Sequence, residues 1–152
     1  MIEQGLQQEI NMVMTEARNR RLEFVTVEHL LLALLNMDEV IAFLRGKRVN
    51  IDELRAELDQ YIDSHTPIIS EDAEIDIVPT VGFQRVLQRS VYQAQSAQKN
   101  SVNAMNVFVS IFSEKESHAV YMLKLNNISR LDVMEGISSH LADNPVEETK
   151  KV

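Results

Sequence analysis

The chain has 152 residues, 45% of them hydrophobic, which is enough for one domain or two small fused repeats with a sizeable core. With 15 Lys and Arg against 23 Asp and Glu, the net charge is −8, which disfavours nucleic acid and anionic membranes as partners. There is no Cys, which excludes disulfides and zinc–thiolate sites and favours a reducing compartment, so we expect a cytoplasmic protein.

The sequence patterning predicts an all-α protein. No apolar run approaches the roughly 18 residues that a membrane-spanning helix needs. The N-terminus lacks the basic flank and apolar block of a signal peptide, so we expect none. Four Gly and three Pro in the whole chain favour helices over the turns of a sheet.

One helix, apolar nearly all round, is predicted at the centre of the fold. Within Phe24–Leu35, the residues Val27, Leu31 and Leu34 keep the helical period, and the opposite side is apolar too. Thr26 precedes this helix and has the hydroxyl of a good N-cap. Because such a helix must be buried on several sides, we expect other helices around it. Three of these are predicted over residues 2–21, from an Asp38 N-cap to Gly46, and from Asn50 or Asp52 onward.

Residues 64–79 break the helical pattern. This stretch holds two Pro and four acids, so we interpret it as a connecting loop. Four more helices follow, the second of them with the same apolar period as the central helix of the first half. Thr80, Asn103 and Ser129 are predicted N-caps of three of these helices. Residues 143–152 are polar and charged, which predicts a flexible linker or tail.

The two halves of the chain repeat one pattern. An offset of 77 residues relates Leu31 to Phe108, and an offset of 79 residues relates Leu58 to Ile137. The sequence therefore predicts eight helices as two pseudo-twofold-related four-helix repeats that share one core. We expect one domain over residues 1–142, with repeat 1 at about 1–63 and repeat 2 at about 80–142.

This pattern resembles the Clp N-terminal repeat domain. The segment Thr26–Leu35 is similar to that family's T-x-E-H-L-L-L-A-L-L signature. Further segments resemble the ClpA branch of the family more than the ClpB or ClpC types. They are R-R-L-E-F-V-T-V-E-H (20–29), T-P-I-I (66–69), P-T-V-G-F-Q-R-V-L-Q-R-S-V (79–91) and S-R-L-D-V (129–133).

The resemblance implies a binding module rather than an enzyme. In that family the N-domain precedes two ATPase rings, docks the adaptor ClpS, which delivers N-degron substrates, and contacts some unfolded substrates directly. ATP, Mg and the contact with the ClpP protease belong to the rings. The chain contains no G-x-x-x-x-G-K-[ST] motif, so we expect no catalysis, cofactor or metal in this segment and a monomeric N-domain with the start of its linker.

The resemblance also implies an adaptor-docking surface. Its residues are Glu23, Thr26, Val27, Glu28, Pro79, Thr80, Val81 and Arg85. The residue types alone allow a different interpretation of three of them. Glu23 is a solvated acid, Glu28 is an acid that suits the first turn of a helix, and Thr80 is an N-cap.

Three arginines form a second candidate site for an anion or substrate. Arg85 and Arg89 are four residues apart and so share a helix face. Arg130 matches an arginine that lies near these two in the family, and such a trio could hold a carboxylate or sulfate. The alternative is a structural ion-pair group. None of the four His residues has metal-ligand spacing, and His29 is expected to be a satisfied core or boundary histidine.

Two other functions remain open at this point. Some chains carry this repeat domain without an ATPase, which makes a stand-alone regulator the main alternative. A small all-α enzyme rests only on the abundance of acids.

Overall fold

The structure is a computed structural model that describes residues 1–71 and 77–143, with side chains as far as Ser138. The described residues form eight helices: α1 (Gln4–Asn19), α2 (Val27–Leu34), α3 (Asp38–Gly46), α4 (Ile51–His65), α5 (Val81–Ser96), α6 (Ala104–Ile111), α7 (His118–Leu125) and α8 (Arg130–Asp143). Two strands of two residues each, β1 (Phe24–Val25) and β2 (Val78–Pro79), are the remaining named elements. The predicted all-α class is confirmed. Among the described residues, no helix combines the length and apolar character that crossing a membrane requires.

The helix bounds differ slightly from those predicted. α4 ends at His65, two residues beyond the expected end of repeat 1, and β2 lies inside the predicted connecting loop. The N-cap of α3 is Met37 rather than Asp38, which instead lies in the first helical turn, where a carboxylate suits the helix dipole. The predicted tail spans residues 143–152; its first residue, Asp143, is the last residue of α8, and residues 144–152 lie outside the described part of the chain.

The helix pairs of the two halves have the offsets that the sequence predicts. α1 and α5 are each 16 residues long and start 77 positions apart, and the same offset relates the eight-residue helices α2 and α6. Both of the shorter helices begin with a capping box, formed by Thr26 and His29 in one repeat and by Asn103 and Asn106 in the other. The duplication therefore extends to the hydrogen bonds that start the helices.

The left-handed residues that end helices are also duplicated. Arg21 (φ 59°) follows α1 and Gln98 (φ 60°) follows α5, again 77 positions apart. Arg48 (φ 63°) and Asn127 (φ 61°) follow α3 and α7, with the offset of 79. Gly46 is the last residue of α3, as predicted, and the left-handed residue that follows the helix is Arg48. None of the four turns uses glycine, so each carries the modest steric cost of a side chain in this conformation.

The segments that lead into the repeats are exchanged between them. β1 pairs in parallel with β2, which places Val25 opposite Pro79. The pseudo-twofold counterpart is a parallel bridge between Ile2 and Val102. Two equivalent hydrogen bonds of 2.9 Å extend these pairings, from Thr80 N to Val25 O and from Glu3 N to Val102 O. Each repeat thus supplies its leading residues to the other.

The core is centred on α2, as its all-round apolar pattern predicts. Seven of its eight residues are buried, and Leu32 is the partly exposed one. α2 packs against α1 and α4 of its own repeat and against α5, α6 and α7 of the other. α6, its counterpart, packs against α5 and α8 and against α2 and α3. The two repeats therefore share one continuous core.

Candidate functional site

Three extended segments meet where the two repeats join. Glu23 N donates to Pro67 O at 2.8 Å, and Val78 N donates to Glu23 O at 3.1 Å, so the segment before β1 is flanked on both sides. An antiparallel bridge between Leu22 and Ile68 continues the first of these pairings. The backbone of this junction is held by main-chain hydrogen bonds, which fix the side chains that it presents.

The junction presents a group of exposed apolar side chains. Ile68 is 70% exposed, Val78 46% and Val81 68%. Glu23 is an exposed acid beside them, and Pro79 is partly exposed. We call these five residues the junction patch. Exposed apolar side chains that are grouped on a rigid backbone are typical of interaction sites. Ile68 was not among the predicted site residues, although it belongs to the T-P-I-I segment that carries the resemblance.

The two predicted threonines act as N-caps at the edge of the junction patch. Thr26 Oγ1 accepts from His29 N at 3.4 Å, and Thr80 Oγ1 accepts from Phe83 N at 3.2 Å. Both threonines remain partly exposed. These caps begin α2 and α5 at the point where the repeats meet, so they position the surface whether or not they touch a partner.

Val27 and Glu28 are buried, in contrast to the exposed positions that a docking surface requires. A Cβ added to Gly82 would lie 3.0 Å from Val27 Cγ2, which shows how closely α5 approaches α2. Glu28 Oε2 accepts a hydrogen bond from the backbone N–H of Ala119 at 2.9 Å, in the first turn of α7. Glu28 therefore stabilises the contact between the repeats, and its burial does not support the predicted place in an exposed interface.

A buried acid brings two of the predicted arginines together. Arg85 Nε and Nη2 donate to the two oxygens of Glu114 at 2.8 Å and 2.5 Å. Arg89 Nη1 lies 3.7 Å from Glu114 Oε2 and also donates to Ser110 O at 3.4 Å. The hydrogen bonds from Arg85 are the main cause that lowers the pKa of the Glu114 carboxyl. Glu114 itself was missed, because acids are too frequent in this sequence for one of them to indicate a site.

Arg130 is not joined to this pair. It is exposed at the first position of α8, and in the described part of the chain it shares neither Glu114 nor another hydrogen-bond acceptor with Arg85 and Arg89. The ion pair with Glu114 matches the structural interpretation of the two linked arginines. Arg85 still has a half-exposed side chain, and it lies one helical turn after Val81 of the junction patch.

Only one of the two ring nitrogens of His29 has a hydrogen-bond partner among the described residues. Its Nδ1 accepts a hydrogen bond from the backbone N–H of Thr26 at 3.0 Å, which completes the capping box. Its Nε2 is buried and has no hydrogen-bond partner among the described residues. Burial, and secondarily the charge of Arg20, lower the pKa of His29 to about 4. The imidazole is therefore neutral at pH 7.

Comparison with known proteins places the chain in a family. Residues 1–126 match the family described as the Clp repeat (R) N-terminal domain. The chain is 35% identical over 141 residues to a "ClpA homolog protein" of Fuscovulum blasticum, which covers 92% of this chain and 18% of that protein. The chain thus spans less than a fifth of the length of this relative.

Two solved structures show the same fold at low identity. The Hsp104 N-terminal domain from Candida albicans has a TM-score of 0.74 and 12% identity, covering 89% of this chain and 87% of that one. A ClpV N-domain in complex with a VipB peptide has a TM-score of 0.69 and 15% identity, covering 93% and 88%. The chain belongs to the Clp repeat N-terminal domain family.

Proposed function

We propose that this chain is the adaptor- and substrate-docking module of an ATP-dependent Clp unfoldase, and that its junction patch binds a ClpS-type adaptor. The observation that carries the proposal is the exposure of Ile68, Val78 and Val81 on one hydrogen-bonded junction between the repeats. An apolar centre with a polar rim is the usual anatomy of a protein interface.

The rim of the junction patch carries charges of both signs. Glu23 is exposed beside β1, and the half-exposed Arg85 lies one helical turn after Val81. Rim charges mainly influence association rate and partner choice, whereas the apolar centre holds the complex together. Thr26 and Thr80 complete the proposed interface at the helix starts. Val27 and Glu28 support it from below, because both are buried.

The comparisons support a docking role. The ClpV N-domain, which has the same fold, was solved with a VipB peptide bound. The relative from Fuscovulum blasticum is described as a ClpA homolog. In the proposed role, N-degron substrates reach this domain on the adaptor or directly. ATP-driven unfolding and delivery to ClpP then belong to rings in a longer protein.

Calorimetric titration with a purified ClpS-type adaptor tests the proposal, and the duplication supplies a matched control. Val81 and Gln4 are the first residues of the equivalent helices α5 and α1, and both are exposed. An Asp at either position has the same favourable relation to the helix dipole. We expect V81D to weaken adaptor binding at least tenfold, because it puts a charge in the apolar centre, and Q4D to leave binding unchanged.

A second pair of variants tests the charged rim. We expect E23K to slow association and to change its salt dependence, because Glu23 lies at the edge of the interface. Glu57→Lys, at an exposed position in α4, makes the same charge change as a control. The proposal is wrong if the wild-type chain shows no saturable binding at tens of micromolar, or if V81D and Q4D bind equally well.

A further inference from the structure

A charged cleft lies between α1, α2 and α4, within repeat 1. It encloses a volume of about 110 Å³ and is partly open to solvent. His29 lies among its lining residues. Glu16 of α1 and Arg20, the residue that follows α1, line it on one side, and Arg55 and Asp59 line it from α4. The cleft lies outside the five residues of the junction patch and is not used by the proposed adaptor docking.

The hydrogen bonds of His29 define what the cleft offers to a ligand. Because Nδ1 accepts from Thr26 N–H, the proton of the neutral ring is on Nε2. The side chain is only 3% exposed, and this Nε2–H has no acceptor among the described residues. In this tautomer Nε2 has no free lone pair in the ring plane for a metal ion, and the described residues include no group of three or more potential metal ligands. The missing partner is therefore a hydrogen-bond acceptor.

Two guanidinium groups, those of Arg20 and Arg55, line the cleft beside His29 and can donate charge-assisted hydrogen bonds, while Glu16 and Asp59 balance their charge. Arg20 is the charged group whose field acts on the imidazole, and it is a cation that is ion-paired with Asp63. Arg55 donates to Asn36 Oδ1 at 3.1 Å and to Leu35 O at 3.2 Å, and it has no carboxylate partner in the described part of the chain. A second guanidinium is thus available for an anion.

The second repeat shows that the fold does not require these charges. The positions equivalent to the four ionisable wall residues are all neutral, and they are Gln93, Ala97, Met134 and Ser138. Asn106 replaces His29 and forms the same capping box. Because repeat 2 makes the same helices without this set, we attribute the charged cleft of repeat 1 to binding rather than to folding.

We infer that the cleft between α1, α2 and α4 binds a single carboxylate group, which accepts hydrogen bonds from His29 Nε2–H and from the guanidinium groups of Arg20 and Arg55. The size of the cleft suits a small carboxylate and excludes a drug-sized ligand. Glu16 and Asp59 disfavour a dianion such as phosphate, because they offset the charge of the two arginines. The carboxylate comes from a small molecule or from the end of a polypeptide chain, and both present the same group.

Imidazole NMR on the intact chain tests the inference. Sodium acetate is titrated at pH 7 against chloride of equal ionic strength, and the His29 Nε2 resonance is followed. We expect a saturable shift in the millimolar range and a rise in the pKa of His29, because a bound anion stabilises the imidazolium. N-acetylglycine is titrated in parallel. Tighter binding than acetate identifies a chain end as the source, and equal or weaker binding identifies a small acid; either supports the site.

Two variants assign the shift to the cleft. R55M introduces the residue that repeat 2 has at this position, and we expect it to weaken acetate binding at least tenfold. R45M removes an exposed arginine from the last turn of α3 and should leave binding unchanged. If R55M does not fold, R20Q replaces it. The inference is wrong if the shift grows linearly with acetate concentration without saturating, if chloride causes an equal shift, or if R55M shows the same shift as the wild type. The partner of His29 Nε2–H would then be water.

Discussion

The carboxylate of Glu28, in the first repeat, accepts a hydrogen bond of 2.9 Å from the backbone N–H of Ala119, in the second. Both residues are buried, and they are 91 positions apart in the chain. The position equivalent to Glu28 in repeat 2 is Met105, which cannot make this bond. The link between α2 and α7 is therefore a feature that only one of the two copies carries.

Removing this acceptor should destabilise the domain. We expect E28A to lower the free energy of unfolding by about 2 kcal/mol, because it leaves a buried N–H without its charged partner. E28Q keeps an acceptor of similar shape and should lose less. Urea denaturation followed by circular dichroism measures both, with E57A on the exposed face of α4 as the control. If the urea midpoint of E28A equals that of the wild type, the assignment of Glu28 as a structural residue is wrong.

The Arg85–Glu114 ion pair should make stability depend on acidity. Hydrogen bonds from Arg85 lower the pKa of Glu114 in the folded state, so the unfolded chain binds this proton first as the pH falls. The stabilisation is complete above the unfolded pKa of about 4.3 and is lost as the pH falls through the folded pKa. We expect the difference in unfolding free energy between wild type and E114Q to be largest near pH 7 and to shrink below about pH 4. Denaturation from pH 3 to 7 measures it, and E116Q, with an exposed acid, should show no such trend.

His29 should also make stability depend on pH, in a different range. Its folded pKa of about 4 lies below the ordinary value of 6.5, so the unfolded state binds the extra proton between these values. Stability is therefore lost as the pH falls from about 6.5 towards 4, with a slope of at most about 1.4 kcal/mol per pH unit. H29N keeps the capping box, as Asn106 does in repeat 2, and should remove this slope. An imidazole NMR titration that gives His29 a pKa near 6.5 would contradict the prediction.

Two glycines in helices should respond to alanine in opposite directions. A Cβ at Gly136 of α8 would lie 2.7 Å from Cδ1 of Phe43, a ring that packs edge-on against Phe108. We expect G136A to cost about 1–2 kcal/mol through overpacking, despite the better helix propensity of alanine. A Cβ at Gly46 meets nothing within 4 Å, so G46A should be neutral or slightly stabilising. The melting temperatures of both variants show whether overpacking against Phe43 or the better helix propensity of alanine has the larger effect on stability. A higher melting temperature for G136A would show that Phe43 moves aside easily.

The helices could be predicted because apolar spacing and N-cap residues mark them within a few residues of sequence. The duplication could be predicted because the same pattern recurs at a fixed offset. Thr26, Thr80 and Asn103 accept hydrogen bonds at the predicted helix starts, and the two offsets recur in the caps and in the left-handed turns. The left-handed residue after α3 has no such local signal, because it is Arg48 rather than a glycine. The two strands were missed, since two residues are too short to show an alternating pattern.

The candidate site was harder to predict, because it depends on contacts between distant parts of the chain. Nothing in the local pattern around Glu28 indicates the N–H of Ala119, so a buried acid was assigned to a surface. Ile68 has no helical period to mark it, and its exposure comes from the pairing of its loop with the segment before β1. His29 was expected to be satisfied, and only the geometry shows that one of its nitrogens is not.

Because the leading segments are exchanged, the two repeats cannot be separated without loss of backbone pairing in each of them. Ile2 completes its pairing on Val102, and Pro79 completes its pairing on Val25, so a cut between the repeats leaves each half with a strand that lacks its neighbour. A polypeptide with one repeat could recover both pairings only as a symmetric dimer with swapped N-terminal arms. In the fused chain the same exchange takes place within one molecule, which makes the domain equivalent to an internal dimer of its two repeats.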